Sequence, residues 1–416
     1  MLNSIVFNSG ITIGGEIARG QSVLNRAKTD YAPVGIRMGA FKLLPTLSSE
    51  NEWKDNIYSS QNNAVDDLIF HIKPALAVQS DWNRHALTFA LDSDLQSYAS
   101  RDAEDKENYS FNLNGKFDVL RNSFTHAKLL YANLYENRGQ ATSVFGDPSS
   151  GFIALRPTNY QTLESALGYE HKMNRIRFNL DNDTTHLSYQ NGIAPVTFAI
   201  IDNDKNRSRL RNETSFRLGY ELNPNYEAFL KTSYNFIDYD SQFGVDGLQR
   251  SSVGYKGVTG IALDLTGKLT GDVYVGYQLQ DYKDIQLNTV SGLTGGLGMK
   301  WSPSGLTSIQ TNVDRSINET IQGFSSGVFS TAFTVGVDHE LLRNIILSAN
   351  SGYTLNEYQG GNSRTENVYS AGFNAKYLIN RHFYLKSGYA IGTRTTSIAN
   401  TNYDLNSIYI TIGSQL

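Results

Sequence analysis

Downstream of residue 344, apolar and polar positions alternate one for one. Leu347, Ala349, Ser351, Tyr353 and Leu355 share one parity, and Ser348, Asn350, Gly352, Thr354 and Asn356 share the other. A period of two predicts a strand with one apolar and one polar face. The pattern recurs. Thr214, Phe216, Leu218 and Tyr220 oppose Glu213, Ser215, Arg217, Gly219 and Glu221; Tyr226, Ala228, Leu230, Tyr234 and Phe236 oppose Lys231, Ser233 and Asn235. Ile408, Ile410 and Ile412 oppose Ser407, Tyr409 and Thr411. Such runs hold for about ten residues, the length a tilted strand needs to cross a bilayer. Strands of soluble sandwiches are usually about 5–6 residues.

Punctuation organises these strands into pairs. Short turns are expected at Asp81-Trp82-Asn83, Arg121-Asn122, Met173-Asn174-Arg175, Asn223-Pro224-Asn225, Thr266-Gly267-Lys268, Ser302-Pro303-Ser304, Arg343-Asn344 and Asn380-Arg381. Longer polar loops are expected between them, at residues 138–157, 191–207, 240–250 and 359–365. Short turns at one end and long loops at the other predict an all-β, closed antiparallel transmembrane barrel of about eighteen strands, with periplasmic turns and extracellular loops. Within that division the segment from His339 to Tyr358 is a hairpin turning at Arg343-Asn344. Trp82 and Trp301, beside short turns, suit an interfacial aromatic belt.

The polar face carries charge: Lys73, Asp92, Asp94, Lys116, Glu170, Arg177, Asp181, Asp183, Glu213, Arg217, Glu221, Lys231, Lys300, Lys376 and Lys386. Burying so many ions in a dry core is costly unless each is paired. Lining a wet lumen removes that cost, leaves the apolar faces to lipid, and closure leaves no open edge. Glu170, Lys172, Arg177, Asp181, Asp183, Glu213, Arg217 and Glu221 form a mixed ladder over three consecutive strands. It stiffens the wall, offers polar solutes a hydrogen-bonding surface, or both. Tyr274, Tyr282 and Tyr409 share the lumen parity.

Two segments break the pattern. Residues 1–34 precede the barrel, which occupies residues 35–416; they are expected to plug the pore from the periplasmic side or to dock a periplasmic partner. The apolar run at residues 194–201 is expected either to fold into the lumen or to extend a strand above the membrane. The first twenty residues lack the basic start and unbroken apolar core of a signal peptide. That leaves a cytosolic chain or a leader removed upstream.

Composition narrows the rest. The 416 residues hold 25 Tyr, 20 Phe and 36 Gly but only 8 Pro, a mix suited to strands and turns. With 36 Lys+Arg against 40 Asp+Glu, nothing points to nucleic acid. No cysteine is present, so thiolate metal sites and disulfides are excluded. There is no P-loop, GxGxxG, zinc or calcium-loop motif. No cofactor is expected.

Three stretches carry a family resemblance: DYAPVGIRMGAFKLLPTLSSENEWKDNIY (residues 30–58), WSPSGLTSIQTNVDRSINET (301–320) and VDHELLRNIILSANSGYTLNEYQG (337–360). Together they resemble the outer-membrane family called Putative beta-barrel porin 2, with residues 338–344 the most specific part. The resemblance implies a bacterial outer-membrane location and a role in exopolysaccharide export. It supplies no catalytic residues. Leu416 departs from the aromatic last residue usual in outer-membrane barrels. The partners expected are outer-membrane lipid, polysaccharide or small polar solutes, and a periplasmic export protein. A general or small-solute porin and a structural barrel that only anchors partners are the competing readings.

Two constellations resemble catalytic material. In Asp338-His339-Glu340, strand geometry sends the carboxylates to one face and the imidazole to the other, so rim residues are the expectation. His186 and Ser188 share the outward parity, and Asn212 lies on the outward row of the next strand. An Asn-His-Ser set at the lipid rim is similar to the arrangement of outer-membrane phospholipases. The local sequence around that family's nucleophile is absent. No enzymatic activity is the leading expectation.

Overall fold

The structure is a computed structural model that describes residues 22–24, 26, 28, 30–138, 155–193, 200–265, 267–320, 325–361, 364–398 and 401–416. Eighteen long strands follow one another around a ring. They are β1 (Phe41–Lys54), β2 (Asp67–Ser80), β3 (Ala86–Tyr98), β4 (Lys106–Leu120), β5 (Ser123–Tyr135) and β6 (Asn159–Met173). Next come β7 (Ile176–Tyr189), β8 (Arg209–Asn223), β9 (Tyr226–Tyr239), β10 (Ser252–Leu265), β11 (Leu269–Tyr282) and β12 (Val290–Ser304). The ring ends with β13 (Thr307–Asn318), β14 (Ser325–Leu342), β15 (Ile345–Gly360), β16 (Thr365–Leu378), β17 (Phe383–Thr396) and β18 (Tyr403–Gln415). Each pairs antiparallel with its chain neighbour, and β18 pairs with β1 from Thr46↔Gln415 to Lys54↔Ser407, which closes the barrel. A three-residue strand, Ile36–Met38, folds back on the start of β1. Among the described residues helix is confined to α1 (Asn203–Arg207) and one 3-10 turn at Asp102–Glu104.

Short connections gather at the end of the barrel that also holds Phe41 and Gln415. The tightest of them need the left-handed backbone that hairpin turns require. Asn174 supplies φ 54° between β6 and β7, and Gly267 supplies φ 66° between β10 and β11. One expected turn moves: Ser302-Pro303-Ser304 lies in β12, and the chain reverses at residues 305–306. The register breaks between Trp301 and Ser304, so Pro303, which has no N–H to donate, sits in an irregularity of the ladder. The loop expected at residues 359–365 is also shorter, because β15 runs on to Gly360.

Sidedness follows from the alternation. Leu167, Leu293 and Ile412 are 60 to 69 % exposed on the convex face. Such a surface is unstable in water and is satisfied by lipid hydrocarbon. Trp82 and Trp301 lie exposed at the periplasmic end, Trp82 edge-on to Phe41 at 5.5 Å between ring centres. Tyr234 and Tyr255, at 5.4 Å, and Tyr353 and Tyr369, at 4.9 Å, pair higher up. Among the described residues, packed apolar clusters occur only as small groups. Leu248, Tyr282, Leu287, Val290 and Phe329 form one and Ile57, Ile69 and Tyr98 another, both towards the extracellular end; Val23, Ile346 and Leu378 form a third at the periplasmic mouth. Between the ends the concave face is polar.

Candidate transport lumen

The pairing registers place Lys73, Asp92, Asp94, Lys116, Glu170, Arg177, Asp181, Asp183, Glu213, Arg217, Glu221, Lys231, Lys300, Lys376 and Lys386 on the row opposite the exposed apolar side chains. They do not form one cluster. Three walls with different chemistry emerge.

The first wall spans β6 to β9. Arg177 reaches Glu227 at 3.2 Å and Glu170 at 3.5 Å, and Arg217 reaches the same Glu227 at 2.8 Å. Lys172 pairs with Glu221 at 2.7 Å, and His126 on β5 meets Asp181 at 3.2 Å. Arg177 and Glu227 bridge strands two apart across β8, which only the concave side of the sheet permits. Glu227 is the hub, and the ladder read from the sequence omitted it. It lies two positions into β9 and shares parity with Lys231, so the signal was present. Asp183 and Glu213 stand directly opposite each other, a locally acidic stretch.

The second wall spans β1 to β3. His71 Nδ1 lies 2.8 Å from Asp94 and its Nε2 lies 3.3 Å from Glu52. Lys54 pairs with Glu52 at 2.9 Å, and Gln96 donates to Asp94 at 2.8 Å. Lys73 donates to Glu50 at 2.7 Å, and the Thr411 hydroxyl donates to the other oxygen of Glu50 at 2.6 Å. Each carboxylate is thus held by charge-assisted bonds, the strong kind. Sequence reasoning caught Asp94 and Lys73 and missed His71, Glu50 and Glu52.

The third wall is β16 to β18, where Lys376 and Lys386 face each other across strands.

Both ends of the lumen carry ordered contacts. At the periplasmic mouth, Val23 N–H donates to the Ser308 hydroxyl at 3.2 Å, Arg26 pairs with Glu340, and Lys28 reaches Glu340 at 3.0 Å. Residues 1–21 of the expected plug lie outside the described residues. The Asp338-His339-Glu340 run sends its side chains to three partners: Ser348 donates to Asp338 at 2.6 Å, His339 Nδ1 meets Thr307 at 3.0 Å, and Glu340 holds the N-terminal segment. No catalytic alignment results.

At the extracellular end, the tops of β13 and β14 leave the wall: β12–β13 pairing stops at Gly295↔Arg315. Beyond it, Tyr239 of β9 donates to Glu319 at 3.3 Å, and the Arg250 guanidinium donates to the Thr320 and Ser325 carbonyls at 3.3 and 3.2 Å. This strap crosses β10 to β12. Glu319 is partly open to solvent, yet burial in the packed strap pushes its carboxyl up to about 7, against the pull of Arg209, Tyr239, Arg211 and Arg250. Nearby, Arg207 of α1 is buried against Glu136 and stacks on Tyr189 at 3.9 Å. Of the apolar run at residues 194–201, residues 194–199 lie outside the described residues; Ile200 and Ile201 pair with Ile193 and Gly192.

The Asn-His-Ser set does not assemble. Register puts Asn212 opposite Thr184 and Leu210 opposite His186. Asn212 exchanges hydrogen bonds with Asn182 and Thr184 at 2.7 to 3.3 Å, while His186 turns to Asp240 at 3.2 Å. Among the described residues no three metal-ligating side chains converge.

A closed ring of eighteen antiparallel strands, greasy outside and ionic inside, is an outer-membrane architecture. The sequence profile of the Putative beta-barrel porin 2 family matches residues 28–416. The chain belongs to that family. This porin is an outer-membrane β-barrel channel of a bacterium. No curated protein matches it. Solved structures similar to this porin include Pseudomonas aeruginosa OpdO, 12 % identical over 90 % of this chain and 97 % of that one, TM-score 0.45. Pseudomonas aeruginosa OpdK with vanillate is 9 % identical over 90 % and 99 %, TM-score 0.45. The copper transporter OprC is 11 % identical over 92 % and 81 %, TM-score 0.46.

Proposed function

We propose that this porin carries polar, carbohydrate-like material, such as exopolysaccharide, across the outer membrane, and that residues 1–34 regulate entry from the periplasm. Catalysis has no part in this reading. The observation that carries it is the composition of the concave face. Between the two ends it offers paired carboxylates, ammonium and guanidinium groups, hydroxyls and amides instead of a packed apolar core. Mixed sign argues against simple cation or anion selection and favours solutes that exchange many hydrogen bonds. The contacts of Val23, Arg26 and Lys28 at the mouth support a gating role for the segment that carries them. A periplasmic export protein is the partner this segment suits.

Planar-bilayer conductance of the full chain, and of a variant lacking residues 1–34, tests this. A small or intermittent current that rises on removing the segment supports gated passage. A large, constant current in the full chain supports a small-solute diffusion porin instead.

A further inference from the structure

Many lumen cations of this barrel are neutralised: Lys54, Lys73, Lys128, Lys172, Arg177, Arg217 and Arg394 each have a carboxylate within 3.5 Å. Lys116, Lys231, Lys256 and Lys300 lack such a partner among the described residues, as do Lys376 and Lys386, but of these only Lys376 and Lys386 face each other. They are directly opposed in the β16–β17 register, half-buried on the concave face, and neither has a carboxylate within ion-pair distance among the described residues. Like charges opposed across strands are unfavourable. Glu50 lies within electrostatic reach of Lys386, but Lys73 and Thr411 already occupy its oxygens. Lys28 adds a further positive charge near Lys376.

Both lysines are propped. The Lys376 ammonium sits 4.2 Å from the Tyr384 ring centre, and that of Lys386 sits 5.0 Å from the Tyr409 ring centre. Each ring lies over a glycine on the facing strand. A Cβ at Gly413 would come within 2.0 Å of Tyr384, and one at Gly388 within 2.5 Å of Tyr409. The registers match, pairing Tyr384 with Gly413 and Gly388 with Tyr409. Glycine thus opens a shelf, the tyrosine fills it, and the cation–π contact holds the ammonium in place. Lysine stems are otherwise flexible, so this support costs the pair freedom before any ligand arrives. The pair stands two and three residues from the periplasmic turn at 379–382, beside the Val23, Ile346 and Leu378 cluster.

We propose that Lys376 and Lys386 form an anion station just inside the periplasmic mouth, which binds carboxylate groups of the entering solute. Resting on the passage reading above, that solute is an acidic glycan whose uronate carboxylate accepts from both ammonium groups. Relief of the lysine repulsion supplies the affinity, and position at the mouth makes this the first contact for material arriving from the periplasm.

Calorimetry on the detergent-solubilised full chain, with trigalacturonate, maltotriose and inorganic phosphate as probes, tests the station without needing a current. Trigalacturonate should bind more tightly than either other probe. The Lys376→Gln/Lys386→Gln double variant should lose about tenfold or more of that affinity, whereas Lys300→Gln, a lumen lysine on β12 away from the pair, should retain it. Heat-modifiable gel migration reports that each variant is a folded barrel, and single Lys→Gln exchanges provide a second series with intermediate loss. Unchanged trigalacturonate affinity in the folded double variant would overturn the station. Maltotriose or phosphate binding as well as trigalacturonate would overturn the acidic-glycan assignment. Binding with no bilayer current in either the full chain or the variant lacking residues 1–34 would sink the passage reading alone; current without binding would sink the station alone.

Discussion

Arg26 and Glu340, 314 residues apart in sequence, form an ion pair at the periplasmic mouth, with Lys28 joining the same carboxylate at 3.0 Å. Glu340 is almost fully buried while Arg26 is about one-third exposed. The pair therefore acts as a fastening more than as a source of barrel stability, since partly exposed pairs contribute only about 0–1 kcal/mol.

Glu340→Gln should consequently free the N-terminal segment without lowering the heat-modification midpoint of the barrel appreciably. The chain has no cysteine, so Leu24→Cys gives a single labelling site. Maleimide should react with it several-fold faster in the Glu340→Gln background. Equal rates would show that Val23 and its neighbours hold the segment unaided.

The strap over the extracellular end should respond to pH. The Glu319 carboxyl is raised from 4.5 to about 7, so the folded strap binds its proton more tightly than an unfolded one does. Its contribution is complete below about pH 4.5 and is lost as pH rises through 7. Proteolysis of the strap from the extracellular side should accelerate between pH 5.5 and 8, which are chosen to bracket about 7. Glu319→Gln, permanently neutral, should flatten that dependence. A pH response surviving in the glutamine variant would assign it to another group.

Removing the hub of the first wall should cost more than removing a rim pair. Glu227→Gln leaves Arg177 with only the longer Glu170 contact and Arg217 with no carboxylate partner among the described residues; the expected loss is about 1–3 kcal/mol. Lys172→Gln, whose side chain is 40 % exposed, should cost well under about 1 kcal/mol. Urea unfolding in lipid vesicles ranks the two. Equal effects would show that the lumen is hydrated enough to screen both.

On the lipid side, Asn182 and Asn212 satisfy each other within a largely apolar face. Asn212→Leu alone should destabilise by about 1 kcal/mol, because Asn182 loses a partner where hydrocarbon offers none. Replacing both asparagines by leucine should cost less than the sum of the two single exchanges, since only the Thr184 and Thr214 hydroxyls then lose a partner. The same unfolding measurement checks the cycle, and a double variant as unstable as the sum of the singles would mean that the two side chains do not couple.

The barrel was legible in the sequence because its physics is local. Period-two alternation in β8, β9, β15 and β18 gives each side chain a face, and Asn174 or Gly267 gives each hairpin its turn. Alternation is blurred in β1, where Leu43, Leu44 and Pro45 are consecutive, so Glu50 and Glu52 were not assigned inward. In β5, Leu129 and Leu130 likewise blur the rows, and His126 went unnoticed. The strap and the Arg26–Glu340 fastening were illegible for a different reason. Each joins segments far apart in the chain, and no periodicity encodes which loop bends inward or which cation finds which acid. Pro303 misled in the opposite direction: it reads as a turn, yet a register break let the strand continue through it.

The seam between the first and last barrel strands is matched over nine residue pairs, against fourteen for β1 with β2. Below it, Ile36–Met38 doubles back along the uncovered start of β1. Because the two halves of this joint come from opposite extremes of the ring, the sheet remains an open curl until every other hairpin is in place. The joint is then the natural site for late zipping during insertion.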